Sequence, residues 1–273
     1  MFRLLLRKTK WQIWSWQHGC AKIQAHPQAK LRMDMGLAGV TGKIVVGKDS
    51  TLIVEEGVTI NAQIFIEEGC KMVVRKGSVL KNVTFYVRDY SVVEIGEGAI
   101  FNSPERYPTY IMIDHGTLLL SEKTHLNCDI SVRFGGEMTV GKYTGIGYGS
   151  EVRCEERVYI GAYGLFSYDV CIYDTNAHSA DWRERRERIE KGYPKGASEE
   201  TKPDTEPVWI GDDVWIGKGS TILKGSMIGH RCLVGIRTVV SGGTFGDDCI
   251  IVSDKPRVIA HRNGERINNH VRN

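Results

Sequence analysis

Between residues 210 and 245 an aliphatic side chain returns every six positions, at Ile210, Ile216, Ile222, Ile228, Val234 and Val240. Four places after each sits a compact residue: Val214, Ser220, Ser226, Cys232, Thr238 and Thr244. An α-helix repeats its apolar stripe at three and four, and a lone strand alternates at two, so neither demands a strict period of six. A short unit repeated without a slip is the mark of a solenoid. Gly211, Gly217, Gly229 and Gly235 follow directly on the aliphatic residues; a sharp corner there would use glycine's access to positive φ. Three sides of six residues close one triangular coil, with the aliphatic residue pointing inward and the compact one filling a corner.

From about residue 40 the pattern is looser but still three-sided. One side begins at Val46, Ile66, Val87 and Ile113; a second at Val54, Val74, Ile95, Leu120, Val140 and Ile160; a third at Ile60, Leu80, Ile100, Leu126 and Ile146. Most spacings are 20 or 21 residues, so one corner carries extra residues, with turn chemistry such as GKDS, EEGC and GEGA. The run FNSPERYPTY at 101–110 holds two prolines and is expected to leave the prism as a loop.

A second interruption, DTNAHSADWRERRERIEKGYPKGASEETKPDTE at 174–206, is longer. An excursion of that length from a regular solenoid is usually functional or disordered. Within it, residues 182–191 fit a short solvated helix, with Glu184 and Arg188, and Glu187 and Lys191, paired at four-residue spacing.

The chain of 273 residues is long enough for one elongated solenoid domain. The expected organisation is an N-terminal segment at 1–40, a β-solenoid at 41–254 and a basic tail at 255–273. A net charge of +3 is too small to point to nucleic acid. Seven cysteines, an odd number without CxxC spacing, fall partly at inward positions, as expected for reduced thiols in a cytoplasmic protein. The opening MFRLLLRKTKWQIWSWQ has too short an apolar run to span a membrane and no small-residue cleavage site. It reads as a cap over the first coil, or as a basic amphipathic segment in peripheral contact with an anionic membrane surface.

The hexads resemble those of the hexapeptide-repeat acyltransferases, and PVWIGDDVWIGKGSTILKGSMIG at 207–229 is very similar to the same region of bacterial sugar O-acetyltransferases. The resemblance implies an all-β fold, a left-handed parallel β-helix, assembled as a homotrimer. It also implies transfer of an acetyl group from acetyl-CoA to a sugar hydroxyl in a capsule, O-antigen or other surface polysaccharide. These enzymes carry a DxxxHS segment and an Arg-rich run just before the strict coils, so the catalytic base falls on His178. A neutral imidazole can take the hydroxyl proton as the new C–O bond forms. Asp174, Asn176 and Asp181 are the nearby groups able to orient it. By the same similarity, Trp215, Gly217, Lys218, Gly235, Ile236 and Arg237 would flank the pantetheine arm, and Lys255 and Arg257 would meet the 3′-phosphate. Trp182, Arg183, Arg185 and Arg186, close to His178, suit an anionic saccharide or nucleotide-sugar acceptor, because a guanidinium donates two parallel bonds to a carboxylate or phosphate. No metal is expected.

Two departures bear on acceptor placement and coenzyme binding. Gly147 or Gly149 stands where maltose and galactoside acetyltransferases carry an asparagine, and VSDKPRVI at 252–259 replaces the usual AGNPAKVI ending. Two further readings are N-acetylation of a nucleotide-linked amino sugar and a β-helix that is not an acyltransferase. Zinc-dependent carbonic anhydrases share the fold but need three converging histidines, and His115, His125, His178 and His230 show no matching close pair.

Overall fold

A computed structural model describes residues 12–15 (backbone only), 22–34, 39–192 and 201–253. The chain winds as a three-sided parallel β-helix, in agreement with the left-handed β-helix expected from the resemblance. On the first face Ile23, Ile44, Ile64, Phe85, Ile111, Ile130, Val152, Ile172, Ile222 and Val240 lie in register, one above another. All of them are buried. The second face stacks Val54, Val74, Ile95, Leu120, Val140, Ile160, Ile210 and Ile228, and the third Ile60, Leu80, Phe101, Leu126, Ile146, Phe166, Ile216 and Val234. Such columns bury apolar surface continuously at about 25 cal/mol per Å², which no single coil could do alone.

The compact corner residues have a definite role. Ser220 donates from Oγ to the Gly235 carbonyl at 2.7 Å and accepts from the Thr238 N–H at 3.2 Å. Thr144 does the same one edge away, donating to the Gly161 carbonyl and accepting from the Gly164 N–H. A small hydroxyl thus satisfies backbone groups of the next coil that would otherwise be buried without partners. Cys70, Cys128, Cys154 and Cys232 fill similar buried positions, and burial pushes the Cys128 and Cys154 thiols far up from their ordinary pKa.

Three details differ from the sequence expectation. Phe101, not Ile100, is the inward residue of the third face, so the loop leaves the prism only after Ser103, with 104–108 exposed and Thr109 buried again. The six-residue register slips by one after Val240: Ile228 pairs with Phe245, and Thr244 is exposed. The glycines that follow the aliphatic residues do not adopt positive φ. That conformation falls two residues later, at Asp213, Gly219, Arg231 and Arg237. Gly211 and Gly217 are needed instead because a Cβ would lie 2.8 Å from the Gly229 carbonyl carbon and 2.6 Å from the Ile236 nitrogen, respectively.

Much of the expected N-terminal segment, and all of 254–273, lie outside the described residues. Within the former, Gln12–Ser15 pairs antiparallel with Lys22–Ala25, on the edge of the first row that faces away from the next coil. No helix among the described residues is long and apolar enough to cross a membrane. Gly211→Ala should lower stability by about 1–3 kcal/mol through overpacking. Gly145→Ala, where the nearest atom to the new Cβ is 3.9 Å away, should stay within about 0.5 kcal/mol; denaturant titration of both variants checks this.

Candidate active site

The excursion begins where the first face ends. Alternation along Cys171–Tyr173 turns Ile172 inward, and the next inward position falls on Asp174, which is fully buried. Its carboxylate accepts backbone N–H bonds from Glu155, Glu156 and Arg157, each with a contact at 2.8 Å. Burial pushes the Asp174 pKa up, and the three N–H donors oppose that rise. Asp174, expected as one of three groups able to orient His178, is therefore committed to the neighbouring corner of the helix.

The corner at 155–157 also holds both legs of the excursion. Glu155, 1% exposed, is paired with Arg133, and its other carboxylate oxygen accepts from Thr175 Oγ1 at 2.7 Å. Thr175 Oγ1 accepts in turn from the Ala177 N–H at 3.0 Å, one residue before His178. On the returning leg, Thr205 Oγ1 donates to the Glu156 carboxylate. The legs are joined by an isolated antiparallel bridge between Thr175 and Thr205, and by bonds from Asn176 N to the Asp204 carbonyl and from Glu206 N to the Asp174 carbonyl. Asn176 thus contributes its backbone to the neck, and its side chain is exposed.

Beyond the neck His178 is exposed to solvent. Its pKa lies below the ordinary histidine value of 6.5, first because partial burial disfavours the imidazolium and then because Arg188, Arg153, Arg133 and Arg185 surround it with positive charge. Each effect destabilises the protonated ring. The imidazole is neutral near pH 7 and can accept a proton.

The expected helix is α1, Trp182–Lys191, with the predicted Glu187–Lys191 pair at 2.8 Å. Asp181 is its N-cap, accepting from the Arg183 N–H at 2.8 Å, and so has a capping role of its own. No residue of α1 is buried. Trp182 carries the Arg183 and Arg186 guanidinia at 4.8 and 4.7 Å from its ring centre. Arg185 donates to the Ser179 and Ala180 carbonyls at 2.7 and 2.8 Å, bracing the loop that bears His178. Of the four residues expected to hold an acceptor, Arg185 is occupied with the loop. The other three form one exposed cationic and aromatic cluster.

The expected coenzyme residues gather elsewhere. Trp215, 50% exposed, points outward from the third face, in register between Leu165 and Leu233. Gly217 lies directly beneath Ile236, and Lys218 sits 3.4 Å from the Asp169 carboxylate. Ile236 and Arg237 are exposed on the next coil, beside Gly235, where a Cβ would meet Val252 at 2.9 Å. These residues occupy the third face and the corner where it turns into the first, whereas His178 rises from the corner at the other end of the first face. One prism does not bring the two groups together. Lys255 and Arg257 lie outside the described residues. Gly147 and Gly149 belong to the same corner as Lys218 and disfavour a side chain for different reasons: a Cβ on Gly147 would come within 2.7 Å of the Ser167 carbonyl oxygen, and Gly149 has a φ of +75° that L side chains rarely adopt.

Sequence reasoning missed Arg133 and Glu155, because each directly follows an inward residue, Val132 and Cys154, and so is buried out of step with the two-residue alternation. It also missed the pairing of His115 Nδ1 with Asp89 at 3.1 Å, which depends on a coil spacing that a loop insertion alters. No family model and no curated protein matches the sequence. Among 27 solved chains that match are the polySia-specific acetyltransferase NeuO (16% identity over 90% of this chain and 84% of that one, TM-score 0.46) and the polysialic acid O-acetyltransferase OatWY (16% identity over 90% and 93%, TM-score 0.37). Likeness at that level carries no residue role and no activity.

Removing one member of the buried pair leaves the other uncompensated, so Glu155→Ala should cost about 3–5 kcal/mol. The double variant Glu155→Ala/Arg133→Met should recover most of that loss. A double-mutant cycle in denaturant measures both.

Proposed function

We propose that the chain is an acetyl-CoA-dependent sugar O-acetyltransferase with His178 as its general base. The observation that supports it most is an exposed imidazole on a loop whose root is clamped to the helix corner through Thr175 and Glu155, where partial burial and then nearby arginines disfavour the protonated ring. In this reading Nε2 or Nδ1 of His178 removes the proton from an acceptor hydroxyl as that oxygen attacks the thioester carbonyl. The C–O bond forms, the tetrahedral oxyanion collapses, the C–S bond breaks, and the departing thiolate takes the proton back from the imidazolium. Trp215, Gly217, Lys218, Gly235, Ile236 and Arg237 flank the pantetheine arm, with Lys255 and Arg257 at the 3′-phosphate. The acceptor is an acidic saccharide or nucleotide sugar met by Trp182, Arg183 and Arg186, part of a surface polysaccharide or its precursor.

The separation of His178 from the Trp215 group supports a homotrimer, in which each site combines the excursion of one prism with the third face of the next. Closed cyclic symmetry is the common solution for such assemblies.

Purified protein incubated with acetyl-CoA and a panel of neutral, acidic and amino sugars, read by mass spectrometry, should show acetyl gain on hydroxyls of the acidic members. His178→Ala should lower that rate by about 100-fold to 10,000-fold with an unchanged melting temperature, because an exposed substitution moves stability by less than about 0.5 kcal/mol. A variant that melts normally and turns over within a few-fold of the parent would assign the base elsewhere. In the parent enzyme kcat/KM should fall as pH drops through a value below the ordinary 6.5, since the protonated ring cannot accept a proton; an acid limb above that value would contradict the environment described for His178. Separately, sedimentation should give a trimer, and mixing His178→Ala with Trp215→Ala subunits should restore part of the activity that each lacks alone.

A further inference from the structure

The prism edge that carries the excursion bears a second group of chemically active side chains, three coils before Asp174. Asp89, Asp114, His115, Arg133 and Phe134 line a half-open cleft of about 360 Å³, at the lower end of the range of about 300–1,000 Å³ usual for small-ligand sites. His115 Nδ1 is 3.1 Å from the Asp89 carboxylate, which fixes the ring and leaves Nε2 close over Gly135, 4.0 Å from the position a Cβ would take there. Arg133, 9% exposed, forms the inner wall. Its charge is matched by Glu155, Phe134 lies 5.3 Å from the guanidinium carbon, and its Nε has no partner among the described residues. A buried donor without a partner costs about 1–3 kcal/mol, a cost that a ligand oxygen reaching it would offset.

The chemistry of this lining selects a ligand class. Asp89 and Asp114 are acceptors and call for donors, while the Arg133 Nε–H calls for an acceptor. An ammonium ion offers donors only, and a carboxylate or phosphate offers acceptors only. An anion would also face two carboxylates in a cavity whose one arginine is already compensated. A hydroxyl does both, and vicinal hydroxyls on a ring with an apolar C–H side match the polar wall and Phe134 together. Tyr90, 71% exposed, extends the same edge with its ring packed over Gly69. Metal binding lacks support, since no described cluster of three or more His, Cys, Asp or Glu residues is arranged for it.

We propose that this cavity is a saccharide subsite that takes a neutral, hydroxyl-bearing sugar unit. Its use rests on the transferase reading above: three coil steps of about 4.8 Å separate it along one edge from the root of the His178 loop, so an acceptor chain lying on that edge would occupy both. Arg133 belongs to both places, lining the cavity and anchoring the loop through Glu155 and Thr175.

The test is saturation-transfer NMR on the full chain without acetyl-CoA, using maltotriose, trigalacturonate and spermidine as separate probes at equal concentration. Maltotriose should receive saturation, and hydrogen exchange read by mass spectrometry should slow at 130–136 in the unmodified protein when it is added. His115→Ala and Asp114→Ala, each confirmed as folded by its melting curve, should weaken that binding by about fivefold or more, the worth of a hydrogen bond near 1 kcal/mol. Spermidine or trigalacturonate binding in place of maltotriose, no binding of any probe, or protection confined to other segments overturns the proposal. Maltotriose bound at this corner by a protein that transfers no acetyl group sustains the subsite and removes only the transferase reading.

Discussion

The parallel ladder that sets one coil directly on the next governs the rest of the molecule. Each inward side chain has its counterpart about 4.8 Å above and below, so a position must suit its neighbours in a column as well as its own strand. Gly211, Gly217 and Gly229 follow from this constraint, because backbone atoms of the next coil occupy the space of a Cβ. Ser220 and Thr144 follow too, since a hydroxyl at a corner can serve backbone groups in the coil above. Chemistry that requires a movable or solvated side chain has to leave the columns, and it does so at the corners.

The columns were legible because they repeat. Ile210 through Val240 fall on the three faces in the order the period dictates, and in the looser coils the aliphatic spacings locate nearly every row. The misassignments lie where the repeat meets an insertion or its own end: Ile100 for Phe101 beside the proline loop, and Thr244 as a compact corner residue where a one-residue slip leaves it exposed. Both are failures of counting, not of physics. The glycines were placed correctly and explained wrongly, since periodicity reports that a side chain is excluded without saying whether φ or a neighbouring coil excludes it.

The excursion was visible as an interruption and α1 as a charge pattern, but its attachment was not. Asp174, Asp181 and Asn176 are all polar residues near His178 in the sequence, and only the folded corner separates a buried carboxylate holding three N–H groups from a helix cap and a solvated amide. Arg133 and Glu155 are 22 residues apart and meet only because consecutive coils superpose. Ion pairs buried in this way add little net stability against an apolar alternative. What this pair does provide is a fixed point from which Thr175 and the backbone before His178 are held.

The bridge between Thr175 and Thr205 brings the ends of the excursion together on one side of the prism. A loop whose ends are pinned pays an entropic cost that grows only with the logarithm of its length, about 0.6 kcal/mol for each doubling. Register in the coils on either side is set by Ile172 over Ile222 and by Val158 beneath Val208, without reference to what lies between. Beyond its neck the segment is therefore interchangeable in the way an antibody loop is: it can be lengthened, shortened or rewritten without disturbing the register of the coils that carry it.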